Sequence, residues 1–144
     1  MITRAEDGRL PQKQVMSLLE AGVAAAQALK AVVTIAVADA GGHLVGLLRM
    51  DGVHTATVEV AIAKARSAAA FRRPTRLFAE QLAAGNLSLL TIPGCVPLQG
   101  GLAIMVDGAL IGAIGVSGAA PEVDEAIASA VADHRPEDNL TAVS

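Results

Sequence analysis

His54 follows an Asp51-Gly52 turn and stands at the expected start of a helix, where a neutral imidazole can ligate a metal or move protons near neutral pH. A solvent-facing polar residue at a helix N-terminus is the competing reading. Cys95 sits in Pro93-Gly94-Cys95-Val96-Pro97, where a thiol can serve as nucleophile or ligand, or pack as a small apolar side chain. Lys64, Arg66, Arg72, Arg73 and Arg76 gather between positions 64 and 76, and Arg49 adds a cation upstream. Guanidinium groups pair bidentately with carboxylates, although a charge run also serves simply as a solvated face. Ser117 and Gly118 lead into a helix start, whose free amide groups can hold an anion. Glu122, Asp124 and Glu125 follow; they complement the helix dipole, and Glu122 and Asp124 are also candidates for holding a cation or moving a proton. His43 reads as an exposed turn residue and His134 as tail. Zinc-ligand spacing, a nucleophile elbow and a phosphate loop are all missing.

These residues need elements to position them. Pro11 opens a helix to about Lys30, with Val15, Leu18, Leu19, Val23 and Ala26 on one face. Val32 to Ala38 and His43 to Met50 read as strands joined by a turn at Asp39 to Gly42. Helical spacing then runs from Thr55 to Phe71, Pro74 ends it, and Thr75 is placed to cap a shorter helix closed by Gly85-Asn86. Leu87 to Pro97 reads as an irregular connection, and a loop of that length is more often functional than idle. Asp107-Gly108 is a two-residue hairpin dipeptide between apolar runs, because both central positions of a type I′ turn need positive φ. Pro121 then opens a helix to Ala132. Hairpins flanking grouped helices predict an α+β domain, an antiparallel sheet with helices packed on it.

With 144 residues the chain has one domain's worth of core, taken as 1–144 with loose ends at 1–10 and 134–144. Hydrophobic residues make up 53% and aromatics 1%, so small aliphatic side chains must supply the packing. Only 17% of residues are charged, which favours hiding surplus apolar surface in a homo-oligomer. A net charge of −3 and the lack of an aromatic platform disfavour nucleic acid as a partner. One cysteine and a polar, acidic N-terminus point to a cytoplasmic protein, and the glycine-punctuated stretch 102–120 reads as a hairpin and not a membrane span.

Four segments, VADAGGHLVGLLRMDG (37–52), AIAKARSAAAFRRPT (61–75), PGCVPLQGG (93–101) and GALIGAIGVSGAAPEVDEAIASA (108–130), occur in series. In these the chain resembles the GlcG/HbpS family of haem-degrading or DUF336 domains, also found at the C-terminus of PduO-type proteins. Cys95 departs from the pattern, since members commonly carry Gly-Gly before the Val-Pro. The resemblance implies a profilin-like sandwich that assembles into dimers or larger rings, and haem as a possible cofactor.

Two functions are expected on this basis, beside a blander third, an accessory or scaffolding subunit with no ligand. The first is a homo-oligomeric binding protein for a planar, anionic small ligand of the haem type. His54, or Cys95, would be the iron ligand, and Arg49, Lys64, Arg72, Arg73, Ser117 and Gly118 would hold the acidic groups. The second is a cofactor-free isomerase, tautomerase or hydrolase for a small carboxylic acid, with His54, Cys95 or Glu122 moving protons.

Overall fold

The computed structural model describes residues 10–134. Helix α1 (Gln12–Ala28) begins directly after Pro11, and the chain leaves it through Lys30 at φ 55°. Strands β1 (Thr34–Asp39) and β2 (Leu44–Arg49) form a hairpin whose turn uses Gly42 at φ 83°. Helix α2 (Ala56–Phe71) ends on Arg72, which takes the left-handed cap conformation usually left to glycine. After α3 (Thr75–Ala83) come strands β3 (Gly101–Val106) and β4 (Ala109–Ser117), then α4 (Pro121–Ala132). Asp107 at φ 51° and Gly108 at φ 79° form the tight turn that their types favour.

The four strands make one antiparallel sheet in the order β2-β1-β4-β3, so the two hairpins lie side by side and meet through β1 and β4. Together with the four α-helices this is the α+β architecture expected from the sequence.

Alternate residues of each strand face opposite layers, and the two layers differ in kind. Ile35, Val37, Ile114 and Val116 point to α1 and α4, where Leu18, Ile127 and Val131 complete an aliphatic core. On the other side, Ala36 and Ala38 meet Ala61 and Ala65 of α2, while Ala113 meets Ala68 and Ala69. Side chains this small let backbones touch. A Cβ built on Gly115 would run into the Ala61 carbonyl and come within 2.6 Å of the Ala65 nitrogen. At Gly115, α2 therefore lies on β4 with backbone against backbone.

Three details differ from the sequence expectation. Thr75 does not cap α3; it is buried in the first turn, and its Oγ1 accepts the Gly101 amide at 2.8 Å, because the first donor of β3 is buried and needs a partner. The stretch 87–97 is not wholly irregular, since Leu87–Thr91 winds into a 3₁₀ turn tied by Thr91 Oγ1 to the Ser88 carbonyl. At the ends, Leu10 is buried in the aliphatic core and the His134 ring hydrogen-bonds Ser17 on α1 at 2.8 Å, so neither residue is loose. Residues 1–9 and 135–144, also expected to be loose, lie outside the described residues.

Gly115→Ala is expected to lower stability by at least about 3 kcal/mol, at the upper end of overpacking costs, since backbone must move to admit the methyl group. Guanidinium denaturation midpoints of the variant and the parent measure this.

Candidate functional site

With its alanine face spent on the sheet, α2 turns Glu59, Ile62, Ala63, Arg66 and Ala70 outward at three- and four-residue intervals. Two structures stand against this face. One is the β1–β2 turn, organised by Asp39, whose Oδ1 accepts the amides of Gly41 at 2.9 Å and His43 at 3.0 Å. The other is the loop around Gly94, where the Val96 amide donates to the buried Ser67 hydroxyl at 3.1 Å. Gly94 itself has φ 79°, a conformation that suits glycine.

Between these walls lie two adjoining compartments. One, of about 280 Å³, is lined by Glu59, Ile62, Ala63, Arg66, Gly94 and Val96. The other, of about 270 Å³, is lined by Gly41, Gly42, His43, Arg66, Ala70 and Gly94, with Ala40 behind. Arg66 and Gly94 belong to both, so the two adjoin as one groove with Arg66 at its waist. Each compartment falls just below the usual size of a drug-like site, and together they reach it.

Lys64 takes no part in this groove. Its ammonium is buried and donates to the Val116 carbonyl at 2.7 Å and to Asp124 Oδ2 at 3.2 Å, with both side chains only 5% exposed. Asp124 Oδ1 in turn accepts the Ala119 amide at 2.9 Å, and the carboxylate also takes a backbone hydrogen bond from Gly118. Burial pushes the Lys64 pKa down and the Asp124 pKa up, and in each case the partner's charge opposes the shift. Space for the ammonium depends on Gly100, where an added Cβ would approach Lys64 Nζ to 2.9 Å. The anion that occupies the start of α4 is thus the protein's own.

The other expected site residues are dispersed. His54 is exposed before α2, its carbonyl accepting from Thr57 Oγ1 at 2.7 Å. Glu122 is exposed in the first turn of α4, and Arg49 at the end of β2. Arg72 and Arg73 are exposed at the joint between α2 and α3, beside Phe71 and Phe78, whose rings pack edge to face at 5.2 Å. Ser117 is buried and Gly118 is held close to the Val32 carbonyl. Cys95 is half-buried between two groove-lining neighbours, and burial raises its thiol pKa, which keeps it in the less nucleophilic form. None of these residues lines either compartment. Among the described residues no cluster of three or more His, Cys, Asp or Glu is placed to hold a metal ion, and no helix is long and apolar enough to cross a membrane.

A family profile described as "Haem degrading protein HbpS-like" matches residues 10–133. The chain belongs to the HbpS-like family. Protein GlcG of Escherichia coli strain K12 is 41% identical over 108 residues, covering 75% of this chain and 81% of GlcG. A double mutant of HbpS from Streptomyces reticuli superposes with a TM-score of 0.78 at 32% identity, over 91% of this chain and 88% of that one. PduOC, solved in complex with haem, gives a TM-score of 0.77 at 30% identity, over 86% and 93%.

Within this HbpS-like fold the groove brings forward Arg66, Glu59 and His43. Arg66 was visible in the sequence as one of a basic cluster, and His43 as a turn residue. Helical spacing offered a further signal: Glu59, Ile62, Ala63, Arg66 and Ala70 share the face opposite Ala61, Ala65 and Ala68.

Lys64→Met is expected to destabilise the fold by about 3–5 kcal/mol, because it strands a buried carboxylate, and Lys64→Met with Asp124→Leu to recover most of that loss. Denaturant titrations of the two variants and the parent provide the comparison, and additive losses would contradict it.

Proposed function

We propose that this protein is a small-ligand binding protein of the haem-binding type, working as a cytoplasmic homo-oligomer, with the groove over α2 as its binding site. The observation that carries this reading is the placement of Arg66 between two compartments walled by Ile62, Ala63, Val96 and Ala70. A flat apolar body edged by carboxylates suits that pattern, and PduOC, a relative of the same fold, was solved with haem.

The chain's residues fit such a ligand in a particular way. Arg66 would pair with a propionate, and His43, the histidine that lines a compartment, has the ring nitrogen an iron would take. The two phenylalanines pack on each other and line neither compartment, so contact with the flat faces would be aliphatic. Bound haem would supply a redox-active iron. Arg49, Arg72, Arg73 and His54 have no role in this reading. Leu87 at 67% exposure and Leu90 at 64% lend support to subunit contacts, since surplus apolar surface favours association.

Haemin titrated into the purified protein is expected to give a shifted Soret band. Arg66→Ala should weaken binding about 10- to 100-fold, the worth of a charge-assisted hydrogen bond, and His43→Ala should alter the band itself. His54→Ala should behave as the parent. An unchanged haemin spectrum with the parent protein sinks the proposal.

A further inference from the structure

We infer that the compartment at the β1–β2 turn is also a proton-transfer site for small 2-oxo carboxylic acids, with His43 as the base, Asp39 as its positioning residue and Arg66 as the carboxylate anchor. This goes beyond ligand binding of the haem type and needs no cofactor. Three observations meet at one place. Asp39 is nearly buried, with its side chain 10% exposed, and two backbone amides of its own turn fix its Oδ1. His43 Nδ1 lies 3.3 Å from that same oxygen, while its side chain is 80% exposed and open to a substrate. Arg66 lines the same compartment as His43.

A carboxylate beside Nδ1 favours the tautomer that carries its proton there and leaves Nε2 as the basic nitrogen, which is how a fixed acid orients a histidine for proton transfer. Gly41 makes the pairing possible, because a Cβ there would come within 2.9 Å of His43 Nδ1. Substrate class follows from the parts. A guanidinium recognises a carboxylate bidentately, and a volume of about 270 Å³ admits a small molecule. Imidazole is too weak a base for an ordinary C–H bond, so the carbon must be acidified by an adjacent carbonyl, as in a 2-oxo acid.

The step balances without a co-reactant. Nε2 takes a proton from C3, the C3–H pair forms the C2=C3 double bond, and the C2=O π pair moves onto oxygen beside the guanidinium. The imidazolium then returns the proton to oxygen, giving the enol, or to C3, restoring the oxo form. The net reaction is tautomerisation.

Haem-free protein incubated in D₂O with pyruvate or 2-oxobutyrate, followed by proton NMR, tests this directly. The parent should speed loss of the C3–H signal at least about 100-fold over protein-free buffer, the lower range of general-base catalysis. His43→Gln should return the rate to background. Asp39→Asn, which keeps an oxygen to accept the turn amides, should lower kcat with KM little changed, and Arg66→Met should mainly raise KM. Circular dichroism confirms that each variant is folded. Exchange at the buffer rate with both acids, or undiminished exchange in folded His43→Gln, overturns the inference. Haemin binding is scored separately, so loss of one reading leaves the other standing.

Discussion

Backbone contact between α2 and β4 sets the terms for the rest of this molecule. Because Gly115 has no side chain and Ala61 and Ala65 have almost none, the helix settles onto the sheet at a separation that larger residues would forbid. The β1–β2 turn and the Gly94 loop then stand beside the outer face of the helix, and the space between becomes a groove. A bulkier interface would lift α2 and change the depth of both compartments at once. The site's shape is therefore decided on the side of the helix that no ligand touches.

The buried Lys64–Asp124 pair joins the layers at the C-terminal end of β4. It connects α2 to the start of α4 past the end of β4 and satisfies the Val116 carbonyl on the way. Such pairs contribute little net stability against an apolar substitute, whereas removing one partner alone strands a buried charge. Arg76 and Gln99 add a more exposed clasp on Glu125, so α4 is held from two directions.

Most of the architecture was legible in the sequence because its signals are local. Asp107-Gly108 fixes a turn by φ preference alone, and the apolar runs on either side of it read as strands without reference to partners. The groove was less legible, since it arises where three segments distant in sequence converge. Lys64 illustrates the difficulty: as one of five cations between positions 64 and 76 it resembles its neighbours, and only the fold shows that Asp124, sixty residues away, claims it. Ser117 and Gly118 misled for the same reason, since the carboxylate that takes their neighbourhood's amides comes from within the next helix. His43 reads in the sequence as a turn residue, and being in that turn is what places it in the compartment that Arg66 also lines.

The unequal layers of the core also give the two sides of the sheet different responses to temperature. The α1 and α4 side is held by burial of branched aliphatic chains, a force that weakens on cooling. The α2 side buries little such surface and relies on close dispersion contacts between backbones and methyl groups, which depend on distance more than on the state of water. The loss of that force on cooling therefore falls mainly on the side of the sheet away from the groove.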